Sequence, residues 1–155
     1  AFARSYVYLI SKRRSGLAKN FVWWIRDDLN IEKMKNACNL FEGLKDYKNF
    51  TQEDKNDVKS TKVEVISCKI IENNQIIAIH IVGSHFLWRM VRRMVGCLVE
   101  VGRNSLSEAQ LSTFFTKNTD FPAQHTAPPS GLYLERVYYK GDEIETNPNV
   151  FINLM

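Results

Sequence analysis

Apolar positions along this chain change period several times, and each change marks an element. Arg4 to Ser11 carries β-branched and aromatic residues with partial alternation, which predicts a strand. Lys12 to Leu29 is an excursion: a basic, Ser/Gly-containing turn, an aromatic cluster (Phe21, Trp23, Trp24), then Asp27-Asp28. Asn30 can cap a helix from Ile31 to about Leu44, with Ile31, Met34, Cys38 and Phe41 on its apolar face. Lys45 to Ser60 is polar and loop-like, anchored by Tyr47 and Phe50. Thr61–Ile71 and Gln75–Val82 are two β-rich runs around Glu72-Asn73-Asn74, the signal of a hairpin. Phe86 to Gly102 predicts one amphipathic helix, because Leu87, Met90, Val91, Met94, Leu98 and Val101 recur at three- and four-residue spacing. Ser107-Glu-Ala-Gln110 is a capping-box pattern that opens a short helix to about Thr116. Asn118–Ser130 is a loop with His125 and Pro128-Pro129, and Gly131–Tyr139 alternates as a last strand. The segment after Lys140 has little periodicity.

The predicted order is β-α-β-β-α-(α)-β, an α+β, ferredoxin-like arrangement. It places helices on one face of an antiparallel sheet and leaves the other face open to a partner domain or RNA. A chain of 155 residues with 45% hydrophobic content can build one domain with a core. The expected division is a domain over 1–139 and a tail over 140–155. Cys38, Cys68 and Cys97 are odd in number, far apart and set in apolar segments, which favours buried reduced thiols over a disulfide or zinc site. No apolar run reaches the roughly 18 residues of a membrane span, and the first residues lack a signal-peptide pattern. A cytoplasmic location is expected, with nuclear or organellar interiors as alternatives, and no membrane partner.

Charge sharpens this only locally. The net charge of +4 and a pI near 9.0 are mildly basic. The basic residues, however, concentrate in Lys12-Arg13-Arg14 and in Arg89, Arg92 and Arg93. On a continuous helix the last three fall at i, i+3 and i+4, forming a stripe beside the apolar face. Gly96, four residues after Arg92, leaves a notch for a backbone or a planar ligand. Gly102 is expected to supply a left-handed stop. Such a stripe is either a solvated surface or a polyanion site. Tyr6 and Tyr8 share one strand face, where packing and base stacking are both open. His80, His85 and His125 have no metal-ligand spacing; His85, just before the helix, could meet a phosphate but is expected as a surface or cap histidine, and turn chemistry accounts for Asp27-Asp28. There is no Walker loop, GxGxxG, GxSxG or HExxH, and no metal or cofactor is expected.

Four ordered motifs carry a family resemblance. Phe86-Leu-x-x-Met-Val-Arg-x-Met-Val-Gly-x-Leu-x-Glu-Val-Gly102 resembles the motif after the central hairpin in the TruA family of tRNA pseudouridine synthases. Ala3-Arg4-Ser5-Tyr6-Val7-Tyr8 resembles that family's A-R-x-Y-x-Y strand. Phe41–Phe50 resembles its G-x-x-D-F-x-x-F, and Ala127–Tyr138 its AP-x-GL-x-L-x-x-V ending. Together the motifs span residues 3 to 139. The resemblance implies isomerisation of uridine to pseudouridine in tRNA, in the anticodon region or a related stem. It implies that Tyr6 packs on the target base and that Arg92 pairs with the catalytic aspartate. Leu132 would lie near the base pocket. By charge alone, Arg4, Lys12, Arg13, Arg14, Arg89 and Arg93 are expected to contact RNA.

The aspartate of the family sits in a G-R-T-D-x-G-V-H motif that precedes the tyrosine strand. Here Asp27, Asp28, Asp46, Asp54, Asp57, Asp120 and Asp142 all follow Tyr6 and lie in other contexts. The chain therefore resembles the C-terminal half of the catalytic region. The implied partners are tRNA, an upstream half carrying the aspartate and, since the family commonly dimerises, a second copy. The alternative is a catalytically silent RNA-binding or assembly module of the same fold.

Overall fold

A computed structural model describes residues 1–14, 16, 19–52 and 59–147. Asp54, Asp57 and the tail beyond 147 lie outside the described residues. The sheet is built from β1 (Ala3–Ser11), β2 (Trp23–Trp24), β3 (Gly43–Asp46), β4 (Lys62–Glu72), β5 (Ile76–Gly83) and β6 (Leu132–Tyr138). Its helices are α1 (Ile31–Cys38), α2 (Met90–Gly102), α3 (Glu108–Ser112) and α4 (Phe121–Gln124). Four strands run antiparallel in the order β6-β1-β5-β4, the ferredoxin-like arrangement. Two short strands extend it. β3 pairs antiparallel with β4. β2 runs parallel to the end of β1, sharing the edge that β6 occupies further along, so the sheet is mixed rather than purely antiparallel.

Alternation along the central strands decides the packing. Tyr8 and Ile10 of β1 and Ile77, Ile79 and Ile81 of β5 face the helices and are buried. α1 and α2 close this core with Met34, Met90, Met94 and Leu98. Tyr47 and Phe50 anchor their loop as expected, in an aromatic cluster with Phe41 and Phe115. The opposite face is not left open along its whole length. Val7, Ile71 and Ala78 are buried there, and Ile144 packs against Ala3, Val82 and Tyr138. Cys38, Cys68 and Cys97 are free and buried. No helix among the described residues is long and apolar enough to cross a membrane.

Two expected boundaries moved and one expected stop proved otherwise, each for a physical reason. α1 starts at Ile31 under an Asn30 cap, whose side chain accepts from the Lys33 N–H at 3.1 Å, but it stops at Cys38. Phe41 continues the apolar period from within a turn, held through its carbonyl by the Tyr47 hydroxyl at 2.5 Å. Gly43, at φ +104°, then turns the chain into β3, an element that the period concealed. α2 begins at Met90 rather than Phe86, because Phe86 is drawn against Tyr6 and into the space over Gly83. Arg89 is therefore not helical; it sits at φ 57° as the left-handed N-cap, so the three arginines do not form one helical stripe. Gly102 is not a left-handed stop either. It is the last helical residue, and a Cβ there would lie 2.6 Å from the Met34 sulfur, so it is glycine to let α1 and α2 meet. The left-handed residue after the helix is Asn104, at φ 65°.

Candidate active site

The site grows from the contact of β1, α2 and the segment that leads into β6. Gly96 supplies the notch expected of it, and backbone fills it. A Cβ there would fall 1.5 Å from the His125 carbonyl oxygen. That close approach lays residues 125–128 along α2. The Ala127 N–H donates to the Arg92 carbonyl at 2.9 Å, and Arg92 Nε donates back to the Ala127 carbonyl at 2.7 Å. One residue on, the Pro128 carbonyl accepts from the Tyr8 hydroxyl at 2.6 Å. Gly131 then crosses Tyr8 so closely that a Cβ would come 2.8 Å from its ring.

These contacts fix a guanidinium beside a tyrosine face. Arg92 is half-buried and makes no ion pair among the described residues. Desolvation first, then the neighbouring Arg89, pulls its pKa down, while Tyr8 opposes the shift. Burial pushes the Tyr8 hydroxyl well up, with Arg92 pulling the other way, so Tyr8 stays protonated and serves as a donor. Tyr6, two residues away on the same face, is half-buried and meets Phe86 edge-on, with ring centroids 5.0 Å apart at 87°. Across the strand pair, Leu132 sits opposite Tyr8, and Leu134, 54% exposed, sits opposite Tyr6. An aromatic face, an apolar rim and an unpaired cation can hold a planar uncharged ring and orient a carboxylate.

The remaining basic residues separate into groups. Arg89 is exposed, with its guanidinium 4.1 Å from the centre of the exposed Trp88 ring. Arg93 is buried, with 8% of its surface exposed, and is not part of a solvated stripe. Arg4 lies one same-face position before Tyr6, opposite Gly83 and Val137. Lys12 ends β1's far side, about 20 Å along the strand from Tyr6 at ordinary strand rise. It is paired there with Glu72 at 2.5 Å. Arg13 is exposed, and Arg14 lies 5.8 Å from the Trp24 ring centre. Thus Arg92 and Leu132 both meet Tyr8, with Tyr6 two residues away on the same strand face, whereas Lys12, Arg13 and Arg14 stand apart.

Other residues singled out by type prove structural. Asp27 receives Arg103 through both oxygens, at 2.7 and 3.2 Å, and that contact lowers its pKa. His125 stacks on Phe121, with centroids 4.0 Å apart. His85 is exposed beside Ser84, at the surface as expected, and His80 is 1% exposed on the second sheet face near Glu135. Sequence reasoning missed the part played by Tyr8 and by the Ala127 and Pro128 carbonyls. The shared face of Tyr6 and Tyr8 was the only available signal for the first, and nothing in side-chain type could reveal the second.

Comparison with known proteins shows the family. A family model described as tRNA pseudouridine synthase matches residues 37–140. The tRNA pseudouridine synthase A of Ehrlichia chaffeensis is 38% identical over 141 residues, covering 88% of this chain and 56% of the relative. That of Thermosipho africanus is 34% identical over 143 residues, covering 90% of this chain and 57% of the relative. That of Pseudothermotoga lettingae is 37% identical over 138 residues, covering 86% and 56%. The chain spans a little over half the length of these curated relatives. With its ferredoxin-like sheet, its tyrosine strand and its arginine held against the Ala127–Leu132 segment, the chain belongs to the TruA family of tRNA pseudouridine synthases.

Proposed function

We propose that residues 1–139 supply the tyrosine, arginine and RNA-binding half of a cytoplasmic tRNA pseudouridine synthase, with 140–155 as a tail. The reaction cleaves the glycosidic bond of a uridine, turns the base over and rejoins it through carbon. It requires the nucleotide to leave its stack. The target lies in the anticodon region of tRNA. The carboxylate that begins the reaction comes from an upstream half of the catalytic region, and the assembled enzyme is a homodimer.

One observation carries the reading. Arg92 is half-buried, tethered through Nε to the Ala127 carbonyl, and has no acid among the described residues. A guanidinium so fixed keeps an incoming aspartate ionised and aimed, because its paired N–H groups match a carboxylate in geometry and charge. Tyr6 offers its ring to the flipped base and its hydroxyl to proton transfer. Leu132 and Leu134 line the apolar side. Arg4, Arg89 and Arg93 meet phosphates near this face, and Lys12, Arg13 and Arg14 meet RNA further along β1.

The test joins this chain to an upstream half carrying the aspartate and assays tRNA with a pseudouridine-specific chemical reaction. Pseudouridine forms with the joined protein. Arg92→Ala lowers the rate by on the order of 10²- to 10³-fold, the scale of one lost preorganised contact, with the fold intact. Tight tRNA binding without pseudouridine formation would favour the silent RNA-binding module instead.

A further inference from the structure

Arg93 is a buried cation that nothing in the described residues neutralises. It keeps 8% of its surface exposed, its Nε is sealed from solvent, and that Nε has no hydrogen-bond partner. Arg89 and Arg92 lower its pKa further, after desolvation, so its nearest charges repel it. None of these three arginines makes an ion pair among the described residues, whereas Arg103 at the other end of α2 has both Asp27 and Glu100. A desolvated guanidinium without a counter-charge is a costly arrangement, and such groups are ordinarily paired.

The surrounding backbone asks for negative charge as well. Arg93 stands in the first turns of α2, where the aligned peptide dipoles already present positive potential. The N-cap is Arg89, in a left-handed conformation and with no side-chain cap, so the opening amides of this 13-residue helix gain no side-chain acceptor. Arg89 is held at the rim by its stacking over Trp88.

We propose that Arg93, Arg89 and the Val91 and Arg92 N–H groups in the first turn of α2, beside the Met90 N–H that the Leu87 carbonyl already takes at 3.1 Å, form a phosphate subsite, separate from the carboxylate position at Arg92. Its occupant is a phosphodiester group of the bound RNA, next to the nucleotide that meets Tyr6. Two anions from two sources then balance the arginines: a carboxylate at Arg92 and a phosphate at Arg93 and Arg89. The identity of the phosphate as RNA rests on the function proposed above, but the demand for an anion does not. Binding measurements therefore test this subsite whether or not isomerisation is found.

The experiment uses the purified chain, with Arg93→Met and Arg93→Lys. In thermal melts at matched ionic strength, inorganic phosphate raises the wild-type melting temperature above that in chloride. Arg93→Met shows no phosphate-specific rise, and in chloride it melts at or above the wild-type temperature because the unpaired cation is gone. Arg93→Lys retains part of the rise. In a second arm, single-stranded oligouridylate is titrated at several salt concentrations, with Trp88 as the fluorescent reporter. Arg93→Met weakens binding and reduces the salt slope by about 0.7, the value for one lost phosphate contact on a single strand. A melting temperature of Arg93→Met lowered equally in phosphate and chloride would show a packing residue and overturn the subsite. A phosphate effect with an unchanged RNA salt slope would overturn the RNA source. No difference between wild type and variant in either arm would overturn both.

Discussion

The two ends of α2 use the same residue type in opposite ways. At the C-terminal end, Arg103 is held by Asp27 and Glu100 and sits where a helix favours cations. Gly102 beside it is packed against Met34, and the Gly102 carbonyl accepts from the Asn30 N–H at 2.8 Å. Charge, dipole and packing all agree there, and the result is a fastening between α2 and the start of α1. At the N-terminal end, Arg89, Arg92 and Arg93 stand against the dipole without acids among the described residues, and Arg89 adopts a left-handed backbone. Folding alone gives no reason for that clustering. The difference separates a structural arginine from arginines that await charge from outside the fold.

Gly96 offers the largest disturbance of this contrast. Gly96→Ala drives a methyl group into the His125 carbonyl, and that backbone cannot yield cheaply. We expect a loss of about 1–3 kcal/mol, typical of overpacking, measured by urea denaturation. The same change should free Arg92 Nε from Ala127, so activity of the joined protein should fall by more than instability explains. Gly102→Ala meets the flexible Met34 side chain instead, and should cost about 1 kcal/mol without touching the Arg92 site. Equal losses of activity per unit of stability in the two variants would erase the distinction between the ends.

The Arg103 pair gives the smallest effects. Asp27 is about half exposed, so solvent screens the contact, and Arg103→Ala should cost no more than about 1 kcal/mol. The pair also sets a pH signature. Arg103 depresses the folded-state pKa of Asp27. The contribution is therefore complete above the unfolded aspartate pKa of about 3.9 and is lost as pH falls through the lower folded value. Asp27→Asn should flatten this part of the acid limb of a stability–pH curve, while leaving stability at neutral pH within about 1 kcal/mol of the wild type.

Much of the architecture was legible because alternation and helical period follow burial directly. The tyrosine strand, the Asn73 hairpin, the Ser107 capping box and the core side of α2 all appear where the pattern put them. The misplaced helix ends share one cause: a local period persists where tertiary contacts have already changed the backbone. Phe41 keeps the rhythm of α1 from inside a turn, and Phe86 and Leu87 keep that of α2 before it begins. At the site, side-chain type left Tyr6 open between packing and base stacking and the arginines open between solvated charge and a polyanion surface; only the family resemblance singled out Tyr6 and Arg92. The means of holding Arg92, two carbonyls and a missing Cβ, belongs to the backbone and leaves only Gly96 as a trace. Arg93 was visible as charge, but its burial was not, because a helix pattern cannot show what folds over its first turn.

The most direct test compares Arg92→Ala and Arg103→Ala in the joined protein, by single-turnover pseudouridine formation on tRNA at equal folded fraction. Arg92→Ala should lose on the order of 10²- to 10³-fold, and Arg103→Ala should keep a rate close to wild type. Comparable rates for the two variants would contradict this, because the ends of α2 would then not differ in function.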